Sequence, residues 1–175
     1  TAISTKQVLT ITYKNFKRDV EQKYIVHPYY LKQFNGRWFL VGYSSNINRL
    51  SLFAFDRIVS VENSHTEFIH NTEYDFNEYF DDMIGVTKPD GAVIEKVVLW
   101  VSTQRWPYVE TKPLHGSQKV ISKDADGVLI QIEVYINREL EQLILSFGKD
   151  LKVLEPIYLR DRIISHIKEG LQNYE

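Results

Sequence analysis

Between Tyr13 and Arg57 the chain gathers its most chemically suggestive side chains: Tyr13, His27, Tyr29, Tyr30, Lys32, Arg37, Tyr43, Arg49 and Arg57. Aromatic rings offer faces on which nucleobases stack, and guanidinium and ammonium groups take phosphates. The mixture therefore suits single-stranded nucleic acid or a nucleotide-like ligand. The same residues also have a plain structural reading, in which Tyr13 and Tyr43 line a core or its rim and the charges only solvate a surface. Trp38 shares a strand face with Leu40 and Gly42 and reads as core. The adjacent Asp56 and Arg57 read either as an ion pair fixing a bend or, for Arg57, as a ligand contact. Lys14 and Lys17 stand apart from this set and serve as comparison charges.

Other groupings point away from catalysis. His115-Gly116-Ser117-Gln118 sets a serine beside a base, but a nucleophile also needs a third positioning group and an oxyanion hole, and no G-x-S-x-G turn is present. His115, Ser117 and Gln118 therefore read as a polar cluster at a strand start, lining a pocket or an interface. His65 and Glu67 share one face of a strand and His70 falls on the other, a poor metal cage. Asp81 and Asp82 point about 100° apart on a helix and are no acid–base pair. The eight glycines are scattered singly, so no loop cradles a phosphate, and the absence of cysteine excludes disulfides, thiolate metal sites and cysteine nucleophiles. No catalytic residue, metal or cofactor is expected.

The elements that must position these residues come from pattern. Over residues 7–70 short strands succeed one another: Val8–Tyr13, Lys23–Val26 ending at Pro28, Arg37–Tyr43, Leu50–Phe55 and Ile58–Val61. Asn35-Gly36 and Ser44-Ser45-Asn46 are turn signals between them. Such spacing suggests a small barrel or sandwich. Residues 71–95 carry one Lys/Arg against seven Asp/Glu, whereas residues 1–70 carry nine against five and residues 96–175 are balanced. A mildly basic module, an acidic connector and a neutral module result, and the first has a charge suited to an anionic partner. Phe76, Tyr79, Phe80 and Met83 make the connector too apolar for a flexible tether. Residues 78–84 suit a short helix ending at Gly85, packed on one module or on a partner chain.

Beyond it, residues 97–101 form a strand, and a short helix with its flanking loop is broken at Pro107 and Pro113. Residues 118–122 and 128–136 make a hairpin. Asn137 caps a helix with Leu140, Leu143, Ile144 and Phe147 on one face, and Gly148 ends it. A strand at 151–154 precedes a last helix opened by Pro156, with Leu159, Ile163, Ile167 and Leu171 on one stripe. The order β-α-β-β-α-β is that of a ferredoxin-like α+β sandwich.

The first module resembles the WYL domain of bacterial transcription regulators. The resemblance rests on Trp38-Phe39-Leu40, preceded by His27-Pro28 and followed by Asp56-Arg57-Ile58. The second resembles the WCX extension that follows many WYL domains, through Leu99-Trp100-Val101-Ser102, Pro113-Leu114-His115-Gly116-Ser117-Gln118, Asn137, Leu140, Phe147-Gly148 and Leu154-Glu155-Pro156. It implies an α+β chain: a small, strongly bent Sm-like β-barrel over 1–75, an acidic connector with a short helix over 76–92, and a ferredoxin-like domain over 93–175.

It implies further that the barrel senses a nucleotide-like or single-stranded nucleic-acid effector, with His27, Tyr29, Arg37, Tyr43, Arg49 and Arg57 as ligand residues. Ser51 and Ala54 stand where family members often carry Arg, which removes part of the usual positive charge. Operator DNA would be read by an N-terminal winged helix-turn-helix that these residues do not contain, and Thr1 in place of a methionine fits a piece of a longer protein. Sheet edges and the two-fold symmetry of palindromic operators imply a homodimer. A protein–protein interaction module with no small ligand is the rival reading. No apolar run approaches the roughly 20 residues that span a bilayer and no signal peptide is visible, so no membrane partner is expected and the expected setting is cytoplasmic.

Overall fold

A computed structural model describes residues 1–16 and 19–175 and divides them into two units, Thr1–Phe76 and Asn77–Glu175. The first unit is one antiparallel sheet of β1 (Leu9–Asn15), β2 (Val20–Phe34), β3 (Arg37–Ser44), β4 (Arg49–Ala54) and β5 (Ile58–Asn63), in the order β4-β3-β2-β1-β5. Asn35 and Gly36, both at positive φ, turn β2 into β3 and fix the pairing of Phe34 with Arg37.

The sheet must curl. Its outer strands β4 and β5 would lie about 19 Å apart if it were flat. Yet a single 3-10 turn, Phe55–Arg57, joins them, and so short a link reaches at most about 14 Å. Closure stops there. The turn takes the chain out of strand geometry at the point where a β4–β5 ladder would begin, and β5 pairs with β1 instead. The expected barrel is thus a bent five-stranded sheet without a closing seam.

Much of the bend sits in β2. Its pairing with β3 shifts between Pro28 and Tyr30, leaving Tyr29 as an extra residue. Opposite Pro28 stands Gly42, where a Cβ would come within 2.5 Å of the His27 carbonyl oxygen. The expected strand end at Pro28 is therefore a bulge inside one long strand. Alternation gives the sheet two faces. Leu9, Ile11, Val26, Leu40 and Phe53 form the core on one. His27, Val41 and Tyr43 lie on the other.

The second unit carries an antiparallel sheet of β6 (Ile94–Ser102), β7 (Lys119–Lys123), β8 (Gly127–Tyr135) and β9 (Leu151–Glu155), in the order β7-β8-β6-β9. With α1 (Trp106–Thr111), α2 (Arg138–Ser146) and α3 (Ile157–Leu171), the connectivity is that of the ferredoxin-like sandwich. Val97, Leu99 and Val101 of β6 and Val128, Ile130, Ile132 and Val134 of β8 alternate into a fully buried face. Pro107 sits in the first turn of α1 and does not break it.

Residues 78–84 form successive turns rather than the expected helix. They are tied to their own unit by Tyr135 N–H to the Asp82 carbonyl at 2.8 Å, with Phe80, Met83, Ile84 and Val86 buried. Asn137 ties residues 84–87 to the start of α2. Its side-chain oxygen accepts from Leu140 N–H at 2.8 Å, and its amide donates to the carbonyls of Ile84 and Thr87, both at 2.9 Å. The stripe expected on α3 is only half buried. Leu159 and Ile163 are in the core, whereas Ile167 and Leu171 are exposed, because each four-residue step advances 400° and rotates the line off the sheet.

Candidate functional site

His27 is the centre of one group of the sequence-selected residues. It is fully buried. Its Nδ1 accepts from Ile69 N–H at 3.0 Å, and its Nε2 lies 2.9 Å from Ser45 Oγ. A backbone N–H only donates, so Nδ1 is unprotonated and Nε2–H donates to the serine. Burial lowers the pKa of the imidazole and keeps it neutral. Tyr29, the bulged residue, donates its hydroxyl to the Ile69 carbonyl at 2.9 Å, so both backbone groups of Ile69 are held. Burial first, and the neighbouring Tyr43 second, push the Tyr29 hydroxyl pKa up. Tyr43 lies 5.8 Å from the His27 ring and donates to Asn48 Oδ1.

Sequence reasoning missed the cover over this face. Phe68 meets His27 and Tyr29 edge-on at 5.9 and 6.0 Å, and Phe76 stacks on Tyr30 at 5.3 Å with Tyr74 behind it at 6.2 Å. The only local signal was the aromatic content of an otherwise polar stretch.

The cations fall elsewhere. Arg37, exposed at the start of β3, pairs with Asp56 at 3.2 Å. Arg57 donates Nε–H to the Lys14 carbonyl at 3.1 Å and lies 4.6 Å over the Tyr13 ring and 5.0 Å over Phe16. The Tyr13 hydroxyl accepts from Ala54 N–H at 3.1 Å. Burial chiefly raises its pKa, against that hydrogen bond and the charge of Arg57. Arg37 and Arg57 thus share one neighbourhood around Tyr13, with Arg57 bracing β1 to the 3-10 turn. Arg49 is exposed at the opposite end of β3, across from Ser44, on the sheet face of Leu40 and Phe53. His27, Tyr29 and Tyr43 therefore come together, Arg37 and Arg57 come together, and Arg49 stands apart. Lys14 pairs with Asp19 at 2.9 Å, and Lys17 lies outside the described residues.

Trp38 is 45 % exposed. The core reading does not hold, because the curl ends before the sheet can fold over that end of β3. Nearby on the inner face, a pocket of about 330 Å³ is lined by apolar side chains that include Leu31, Leu40, Phe55, Ile58 and Val61.

In the second unit His115, Ser117 and Gln118 form a structural network. Ser117 N–H donates to His115 Nδ1 at 3.2 Å, and His115 Nε2–H donates to the Asp81 carbonyl at 2.5 Å. Ser117 Oγ accepts from Glu133 N–H at 2.8 Å, and Gln118 links Leu114 N–H to the Val109 carbonyl. The group closes a loop onto β8 and onto residues 78–84. Among the described residues no group of three His, Cys, Asp or Glu is placed to hold a metal ion, and no helix is long and apolar enough to cross a membrane.

Likeness to known proteins falls into two parts, and the division between the two units lies in the stretch between them. A family model described as the WYL domain matches residues 1–63, and one described as the WCX domain matches residues 94–171. No curated protein matches the chain. Among solved structures, proteasome accessory factor B/C (PafBC) of Arthrobacter aurescens is 19 % identical, over 99 % of this chain and 26 % of that one, with a TM-score of 0.41. A crystal structure of a CRISPR Cas-related protein is 11 % identical, over 98 % of this chain and 48 % of that one, with a TM-score of 0.57, a likeness of fold. The chain spans about a quarter and about half of these two proteins.

Proposed function

We propose, for a chain that belongs to the WYL-domain family and carries a WCX domain behind its WYL domain, the role of effector-sensing and dimerisation region of a bacterial transcription regulator. The role is regulatory and not catalytic. Of the two effector classes, single-stranded nucleic acid is the better fit. The observation that carries this is the placing of Arg37 and Arg49, exposed at the two ends of the eight-residue strand β3. Seven residue steps separate Arg37 from Ser44, the partner of Arg49, about 23 Å along the strand. One mononucleotide does not bridge that span, and a short strand crossing the β3–β4 edge does. Tyr43 would offer a ring face, with His27, Tyr29 and Arg57 holding the framework. Site sizes of about 4–16 nucleotides on small β-barrels are of the right order.

Fluorescence anisotropy with a labelled single strand of about ten nucleotides, at two salt concentrations, tests the reading. Arg37→Ala with Arg49→Ala should lower affinity and flatten its salt dependence. Lys14→Ala with Lys23→Ala should do neither. Equal losses from the two pairs would mean general attraction to a basic surface and would end the site reading. A second reading has its own observation. The apolar pocket opens beside exposed Leu31, Phe55 and Val61, which suits a protein partner. It predicts no binding of any oligonucleotide by the wild-type chain.

A further inference from the structure

The segment after β5 contains a run, Glu73-Tyr74-Asp75-Phe76, in which carboxylate and ring alternate twice. Phe76 lies on Tyr30 of β2 at 5.3 Å with the rings 13° from parallel, and Tyr74 follows at 6.2 Å and 29°. Tyr30, Phe76 and Tyr74 therefore make one continuous stack rooted on the sheet. Two residues along β2 from Tyr30, Lys32 falls on the same sheet face, opposite Phe39. A single strand meets a protein in the same way, with bases on aromatic faces and phosphates toward cations. The run thus repeats the order of groups in the proposed effector, carboxylates standing for phosphates and rings for bases.

We infer that residues 70–76 are an intramolecular competitor for the effector, a strap whose rings occupy Tyr30 in the free protein and give way to bases when a single strand binds. The inference rests on the proposed single-stranded effector and adds how its site is regulated. Residues 64–69 are the fixed root of the strap. Ser64 N–H donates to the Val8 carbonyl at 2.8 Å, the Gln7 amide donates to the Ser64 carbonyl at 2.9 Å, and His27 and Tyr29 hold the two backbone groups of Ile69. Past Ile69 the chain folds on itself. Asn71 Oδ1 accepts from Glu73 and Tyr74 N–H at 3.3 and 3.0 Å, and its amide donates to the Tyr74 carbonyl at 2.6 Å. Residues 70–76 are exposed or half-buried throughout, the kind of segment that opens without the rest of the fold. A base that replaces Phe76 on Tyr30 trades one ring stack for another, so the exchange leaves the sheet as it was. A closed strap lowers the apparent affinity of the strand by the fraction of molecules in which it is open.

Two measurements on the whole chain, each with a single strand of about ten nucleotides, test the strap. In limited digestion with chymotrypsin, which cuts after aromatic residues, a saturating strand should speed cleavage after Tyr74 or Phe76. A ligand that only covered the surface would slow it. In fluorescence anisotropy, Tyr74→Ala with Phe76→Ala should tighten binding about tenfold by leaving the strap open, and adding Tyr30→Ala should remove that gain. Circular dichroism reports whether the variants fold, and the digestion uses the wild type and needs no substitution. Cleavage slowed or unchanged by the strand, or a folded double variant that binds no tighter, would overturn the strap and leave strand binding standing. Binding by the double variant alone would support the strap. Failure of both the wild type and the folded double variant to bind would overturn the strap and the effector reading together.

Discussion

Acid should loosen residues 64–76 through a single histidine. His27 is fully buried, and its neighbours are the rings of Tyr43 and Phe68, the Ser45 hydroxyl and the Ile69 backbone, with Tyr29 on the far side of Ile69. No carboxylate is among them. A proton on Nδ1 would set N–H against N–H across a 3.0 Å contact, and burial already lowers the pKa of this imidazole. The unfolded chain takes up its proton near pH 6.5. Below that value the unfolded state binds one proton more than the folded state. Stability is therefore complete above about pH 6.5 and falls as pH drops toward the folded pKa. One unit down, the loss reaches up to about 1.4 kcal/mol. For the unit Thr1–Phe76 this is roughly 6–11 °C in Tm.

His27→Asn keeps an acceptor for Ile69 N–H and cannot titrate in this range, and the other four histidines are common to both proteins. Thermal unfolding and hydrogen exchange at the Ile69 amide, tracked from pH 7.5 to 5.5, should show the wild type losing stability and protection that the variant keeps. Parallel profiles for the two proteins would refute the reasoning.

Two other perturbations separate structural from surface roles. Asn137→Ala removes a helix cap and leaves the Ile84 and Thr87 carbonyls without their donor. It should cost about 2–4 kcal/mol in urea unfolding. Asn137→Asp keeps the cap but sets a buried carboxylate oxygen against the same two carbonyls, so it should destabilise as well and speed proteolytic cutting near Lys88. Arg57→Ala gives up the Lys14 carbonyl and the Tyr13 and Phe16 rings and should destabilise by about 1–2 kcal/mol. Arg37→Ala breaks only an exposed pair with Asp56 and should stay below about 1 kcal/mol. Denaturant titrations that ranked Arg37 above Arg57 would reverse the roles given to them.

Strand alternation, the Asn35-Gly36 turn and the Asn137 cap were legible because each is a local rule satisfied locally. The failures have tertiary causes. Pro28 cannot donate to a ladder, so a strand reads as ending there. The structure places it at a bulge, where Gly42 lets the backbones close up. Tyr79, Phe80 and Met83 suit a helix, but the backbone around them is claimed by Tyr135, Asn137 and His115, residues more than thirty positions away. No local pattern could announce those partners.

The candidate site divides along the same line. Arg37 and Arg49 were readable as surface charge because long cations stay in water whatever the fold does. Their separation was not readable, since it depends on both standing at strand ends. The aromatic residues are harder to read. Tyr29 and Tyr30 look like faces offered to a ligand until Phe68 and Phe76, about forty residues later in the chain, are seen lying against them. A ring that stacks on a base stacks equally well on a phenylalanine, so residue type alone cannot decide between the two. Only exposure can, and exposure is set by the segment that returns over the sheet. That is why Arg37 and Arg49, not the more numerous tyrosines, carry the functional reading.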